Sequence, residues 1–330
     1  MTSMPGFKAG LSRRAALAGS AALIAAPALA EECRIGPPAH NKGSVVWMGM
    51  DQVELDAAYD QLEYAPLAKQ IIKRYASASL ATRARLSEPH RVAYGPTEPE
   101  KLDIYRAKEP DAPIYVFIHG GAWIGGAASS YAFPAEMFTH AGAHYIALDF
   151  VGVKQAGGDL GVMADQVRRS IAWVHRNAEL FGGDRRRLYV GGHSSGGHLC
   201  GVAAVTDWTA FGLPANPVRG WHCMSGMFDM KPVRLSKRSS YLKFTDAMED
   251  AMSAERHIAA INAPMVLTSG TNETPEFQRQ SRDFGAKLKA AGKAVQNVSA
   301  PDFNHFEMCE SLGNPYGPNG RAALTLMGLA

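Results

Sequence analysis

Two glycine-rich stretches and one late histidine hold the residue types from which a nucleophilic active site can be built. Gly192-His193-Ser194-Ser195-Gly196 contains the pattern Gly-x-Ser-x-Gly directly after the apolar run 188–190. A serine at the middle of that pattern sits on a tight strand-to-helix turn, where flanking glycines let neighbouring backbones pass. The turn lifts the hydroxyl above the sheet edge and aims a helix N-terminus at developing negative charge. Ser194 is therefore the expected nucleophile, weighed against a plain helix N-cap in a glycine-rich loop. Ser195 lacks a glycine two residues before it, and its amide is expected to donate to an oxyanion.

His119-Gly120-Gly121-Ala122-Trp123 follows the apolar run 114–118. Small residues there bring main-chain N–H groups within reach of a substrate carbonyl, and such donors are worth several kcal/mol at a transition state. Gly121 and Ala122 are the expected oxyanion donors, and Gly120 shapes the turn beside the substrate. Trp123 either lines the acyl pocket or packs. His119 reads as a structural hydrogen-bonder. Of eleven histidines, His305 alone follows the run 265–268, in a loop after 295–299, where a general base belongs. The loop after 265–268 offers Glu273 and Glu276. Glu273 is nearer the strand end and is taken as the acid; Glu276 suits a first helical turn. Asp302, three residues before His305, is the remaining candidate.

Short elements must position these residues. The runs 114–118, 145–148, 188–190, 220–224 and 265–268 are nearly continuous and apolar, as in parallel strands buried on both faces. Residues 92–94 and 102–105 around Gly95-Pro96 read as an entry hairpin. Met163, Val167, Ile171, Val174, Ala178 and Phe181 keep one helix face apolar up to Gly182-Gly183. Phe277, Phe284, Leu288 and Ala291 mark a second helix closed by Gly292. Alternating strands and helices imply an open α/β sheet with helices on both faces, its site beyond the carboxyl ends of the strands.

The 330 residues are 46% apolar and 20% charged, which excludes disordered, collagen-like and disulfide-scaffold chains. No apolar run reaches the ~18–20 residues of a membrane span, and no membrane-spanning role is expected. Lys8, Arg13 and Arg14 are the only charged residues among the first thirty, and without them 31 basic residues face 31 acidic ones. That balance gives no electrostatic case for nucleic acid or anionic lipid. Ser12-Arg13-Arg14 followed by the alanine-rich run 15–26 and Ala28-Leu29-Ala30 predicts a twin-arginine signal peptide over 1–30, removed after Ala30, and a periplasmic or secreted protein. Residues 31–90 read as a helical and loop extension and 91–330 as the catalytic domain. Whether the extension forms a lid, and whether Cys33, Cys200, Cys223 and Cys309 pair, the sequence leaves open. No Cys/His spacing suggests a metal, and no cofactor is expected.

The chain resembles the α/β-hydrolase superfamily, and within it the kynurenine-formamidase-like and carboxylesterase group. The likeness rests on Leu55-Asp56-Ala57-Ala58-Tyr59, Leu102-Asp103-Ile104-Tyr105, the His119–Trp123 and Gly192–Leu199 stretches, Ser225-Gly226-Met227-Phe228-Asp229, Pro275–Ser281 and His305-Phe306. The resemblance implies the α/β-hydrolase fold and supports Glu273, since the acid of that group lies two residues before the Pro-Glu-Phe segment. The group's Tyr-Arg-Leu-Ala-Pro run is replaced here by Phe150-Val151-Gly152-Val153-Lys154. The expected activity is cofactor-free cleavage of a small ester or activated amide through an acyl-enzyme, with arylformamidase as the alternative. A non-catalytic binding protein on the same fold would have lost the serine, the histidine or an elbow glycine, and this chain keeps them all.

Overall fold

Alternation within a single strand explains the layering. In the strand Ala112–Ile118, Ile114, Val116 and Ile118 face one core while Tyr115 and Phe117 face the other, and every residue is buried. In this computed structural model, residues 35–37 and 39–330 are described; the expected signal peptide and Cys33 lie outside them. Ile35–Ala330 is one compact unit. Its sheet has eight strands: β1 (His90–Ala93), β2 (Lys101–Tyr105), β3 (Ala112–Ile118), β4 (His144–Leu148), β5 (Gly183–His193), β6 (Gly220–Met224), β7 (Met265–Gly270) and β8 (Val295–Ala300). The order is β1-β2-β4-β3-β5-β6-β7-β8. β1 and β2 pair antiparallel, as does β2 with β4, and every pair from β4 onward is parallel. This is the expected α/β sheet with its entry hairpin.

Helices α1 (Gln52–Ala58) and α2 (Ala68–Leu86) precede the sheet. α3 (Ala135–His140) leads into β4, α4 (Leu160–Asn177) into β5, and α5 (Ser195–Ala204) into β6. α6 (Lys231–Leu235) and α7 (Asp246–Ala251) lie between β6 and β7, and α8 (Pro275–Ala290) joins β7 to β8. α9 (His305–Glu310) and α10 (Pro318–Met327) close the chain. Buried residues of α4, α5 and α8 share the core on the Ile114 face, and those of α2, α3, α9 and α10 share the Tyr115 face. Among the described residues no helix is long and apolar enough to cross a membrane.

The largest boundary differences from the sequence reading lie at the end of α4 and in β5. The helix ending at Gly182 is α-helical only to Asn177, then continues as a 3₁₀ turn over Ala178–Phe181, capped by Gly182 at φ 83°. β5 begins at Gly183, well before the apolar run, because its first half carries the polar stretch Asp184–Arg187, half-buried at Asp184 and Arg185 and exposed at Arg186 and Arg187, and only its second half crosses the core. Cys200, Cys223 and Cys309 are buried free thiols.

Candidate active site

The carboxyl ends of β3, β5, β7 and β8 converge on Ser194. Ser194 follows β5 with φ 59° and ψ −122°, a sparsely populated conformation for a non-glycine residue. Backbone bonds fix the turn: Ser194 N–H donates to Met224 C=O (2.9 Å) and His198 N–H to Ser194 C=O (3.0 Å). Gly196 must lack a side chain, since a Cβ there would lie 2.1 Å from the Ile118 carbonyl oxygen. α5 thus presses against the end of β3.

His305 opens α9, whose N-cap is Asn304 in a reciprocal box with Glu307. Its Nε2 lies 2.8 Å from Ser194 Oγ and its Nδ1 2.8 Å from Glu273 Oε2. A carboxylate only accepts, so Nδ1 carries the proton and Nε2 is free to accept one from the serine. Glu273 sits after β7, its other oxygen accepting from Gly270 N–H (2.7 Å) and Ser225 Oγ–H (2.7 Å). All three residues are buried, and Ser194 at 9% is the most exposed. The imidazole is edged by Phe277 and Phe306, with ring centres 5.0 and 5.4 Å away.

The other two carboxylates are placed elsewhere. Glu276 is buried in α8, where it accepts from Tyr59 Oη–H (3.1 Å) and forms a two-pronged pair with Arg279 (2.7 and 2.9 Å). Asp302 is exposed in a left-handed turn at φ 64°.

The loop after β3 turns through three consecutive positive φ angles, 125° at Gly121, 55° at Ala122 and 62° at Trp123. A Cβ on Gly120 would stand 3.0 Å from Ser194 Cβ, so the loop passes directly beside the nucleophile. Among the described residues no carbonyl or side chain accepts from the amides of Gly121 or Ala122. Ser195 N–H, at the first position of α5, has no intrahelical partner. Trp123 itself is 1% exposed. Its indole N–H donates to His198 Nδ1 (3.1 Å), and the Arg238 guanidinium lies 5.5 Å over its ring. His198 in turn donates from Nε2 to Met252 C=O (3.0 Å). Val153 N–H donates to Trp123 C=O (2.7 Å), so the divergent segment 150–154 fastens the loop after β3. His119 bonds through Nδ1 with Gly120 C=O (2.8 Å) and stacks on Phe150.

Sequence reasoning assigned no role to two residues that hold this site. Ser225 orients the Glu273 carboxylate, and His193 Nε2–H donates to the His305 carbonyl (2.9 Å). Each has a visible signal in hindsight: Ser225 directly follows β6, and His193 is the first variable position of Gly-x-Ser-x-Gly.

Among the described residues, His40, Asp51 and Glu54 form the sole group with the donor set of a cation site. Asp51 caps α1, accepting from the amides of Glu54 and Gly43 and bonding with His40 Nε2. Glu54 accepts from the Asp51 amide and pairs with the Lys42 ammonium. The cluster is a helix cap with its cation supplied by lysine.

Burial holds several histidines neutral. The His198 imidazole is brought down to about 4 and that of His222 to about 3, in each case by desolvation. Desolvation, reinforced by the neighbouring His305, sets His193 well below its ordinary value, and burial lowers His119. Unfolded, these side chains take up protons near 6.5. Between that pH and their folded values the unfolded chain binds more protons, so stability falls as pH falls. Each fully depressed imidazole contributes a slope of about 1.4 kcal/mol per pH unit in that window. The melting temperature is expected to be level above about pH 7 and to drop steeply from 6.5 towards 5, before carboxylates titrate. Calorimetric scans across pH 5–8 check this; a flat profile would contradict it.

Comparison with known proteins agrees with this geometry. The BD-FAE family model matches residues 102–216. The kynurenine formamidase of Danio rerio is 28% identical over 279 residues, covering 81% of this chain and 93% of that protein. Esterase LipC of Mycobacterium tuberculosis is 25% identical over 258 residues, 70% of this chain and 62% of that one. Among solved structures, esterase B from Lactobacillus rhamnosis superposes with a TM-score of 0.63 at 17% identity, covering 82% of this chain and 96% of its own. Esterase 2 of Thermogutta terrifontis gives 0.59 at 20% identity, covering 74% and 91%. With this fold and these relatives, the chain is similar to the kynurenine-formamidase- and carboxylesterase-like α/β-hydrolases and is a hydrolase of the ester- and amide-cleaving kind.

Proposed function

We propose that the protein is an exported serine hydrolase that cleaves small carboxylic esters through an acyl-enzyme on Ser194. The unbroken hydrogen-bonded chain Ser194–His305–Glu273 carries this reading. Ser194 Oγ attacks the carbonyl carbon as its proton passes to His305 Nε2. The resulting oxyanion takes hydrogen bonds from the amides of Gly121, Ala122 and Ser195. Collapse of the tetrahedral species expels the alkoxide, which leaves as an alcohol with the proton from His305. A water, deprotonated by the same nitrogen, then releases the acid and restores the serine. Glu273 keeps the imidazole in the tautomer that can accept at Nε2 and stabilises the imidazolium.

The similarity to kynurenine formamidase along most of both chains favours a second reading, cleavage of an N-formyl anilide by the same machinery. The replaced segment at 150–154, which holds the oxyanion loop through Val153, argues against transferring that substrate directly. A panel of aryl acetates, aryl butyrates and N-formyl anilides separates the two. We expect kcat/KM for the acetates or butyrates to exceed that for the anilides; the reverse order would favour the formamidase. Export rests on Arg13-Arg14 and the small residues 28–30. One intact-mass spectrum of native protein treated with a fluorophosphonate reports both the adduct and removal of the first thirty residues. An unlabelled folded protein would overturn the serine mechanism, and a mass retaining those residues would overturn export.

A further inference from the structure

The segment ahead of the sheet is fastened one residue away from the proposed acid and one residue away from the proposed base. Gln61, in the short turn after α1, is buried and bonds on both sides of Thr274, the residue following Glu273. Its Oε1 accepts from Thr274 N–H (3.2 Å) and its Nε2–H donates to Thr274 Oγ1 (3.4 Å). Tyr75, in the middle of α2, donates its hydroxyl to the carbonyl of Phe306, the residue following His305 (2.5 Å). Tyr75 is itself immobilised, 5% exposed and stacked on Phe133 at 5.5 Å. One residue before it, Arg74 grips Glu310 at the end of α9 with two bonds (2.8 and 2.7 Å). Further along α2, Arg85 pairs with Glu136 of α3, anchoring the helix to the body of the fold.

We propose that Gln61 and Tyr75 are positioning residues, which set the spacing between Glu273 and His305 by holding the two loops from the same N-terminal segment. The proposal rests on the serine-hydrolase reading above. The acid and base come from separate loops after β7 and β8, which bond to each other ahead of both residues, Asn272 N–H to Phe303 C=O (3.0 Å) and Asp302 N–H to Thr271 Oγ1 (2.8 Å), while Gln61 and Tyr75 hold the residues that follow them. The Nδ1–Oε2 contact of 2.8 Å therefore depends on what fixes each loop. Residues 52–86 connect to both loops without contributing a group to the reaction, so this part of the extension acts as a brace. A displacement of about 1 Å at reacting groups is enough to cost on the order of 10²-fold in rate.

Tyr75→Phe keeps the ring and its stacking while deleting the hydroxyl, and Gln61→Met keeps the length of the side chain while deleting both bonds. We expect each to lower kcat on an aryl acetate tenfold to a hundredfold with KM within about twofold, because substrate binding is untouched. Placed in a Glu273→Gln background, the same changes are expected to lose less than about twofold more, since the productive Nδ1–H to carboxylate contact they maintain is already replaced by an unproductive one. Kinetics are read well below each variant's melting temperature. Parental kcat in both single variants, or an equal loss with and without Glu273, would overturn the brace. Ser194→Ala in the same assay separates the failures: an inactive serine variant beside fully active Tyr75→Phe and Gln61→Met sinks the brace alone, whereas an active Ser194→Ala sinks the hydrolase reading.

Discussion

Ser194→Ala is expected to lower kcat on any ester the protein turns over by on the order of 10⁶-fold, the scale on which a serine hydrolase depends on its nucleophile. The fold should survive. The unusual backbone at position 194 is held by main-chain bonds to Met224 and His198, and these do not involve Oγ. The change leaves His305 Nε2 without its partner in a buried site, at a cost of about 1 kcal/mol. A thermal melt beside the kinetics distinguishes lost chemistry from lost fold. The amides of Gly121, Ala122 and Ser195 remain, so activity above the uncatalysed rate persists. Retention of substantial turnover, with the probe adduct found on Ser195, would move the nucleophile by one residue and break the elbow assignment.

Glu273→Gln should cost on the order of 10⁴-fold in kcat, for a reason visible in the carboxylate's partners. One oxygen of Glu273 accepts two donors, Ser225 Oγ–H and Gly270 N–H; the other accepts one, His305 Nδ1–H. A carboxamide of the same shape must place its NH₂ against one of these sets. Facing Ser225 and Gly270 it would oppose two donors, so it turns its NH₂ towards His305. Nδ1 must then accept, the proton moves to Nε2, and the imidazole can no longer take the serine proton. Glu276→Gln, by contrast, disturbs the pair with Arg279 and the bond from Tyr59, costing about 1–3 kcal/mol of stability with little change in rate. Asp302→Asn is expected to be silent in both assays, because the side chain is exposed. Near-normal turnover in Glu273→Gln with collapse in either control would reassign the acid.

The parts of this molecule legible in the sequence are those whose cause is local. Apolar runs made β3, β4, β6 and β7 readable, and close backbone approach explains the glycines of the elbow. In the sequence Glu273 is separable from Glu276 by its distance from the strand end and by the resemblance, and the geometry adds two different sets of partners. The start of β5 was hidden because its residues are charged and pair with solvent and with one another. Long-range bonds were invisible in principle: Tyr75 reaches Phe306 across 231 positions and Gln61 reaches Thr274 across 213. No periodicity or motif encodes such a pairing, since it exists only once the chain has closed. The burial of Trp123 belongs to the same class, because its partner His198 lies on another element.

The scattering of Ser194, Glu273 and His305 over the ends of three strands also bears on how the chain acquires its native state. Serine and histidine are 111 positions apart and histidine and acid 32, so the constellation is a set of non-local contacts. Closing loops of that length is entropically expensive and rewarded only when the later strands dock. A collapsed intermediate with a formed elbow but an unpaired β8 would hold the serine and lack its base. Covalent titration of Ser194 during refolding thus counts molecules whose β5–β8 half has assembled, separating them from those that are merely compact.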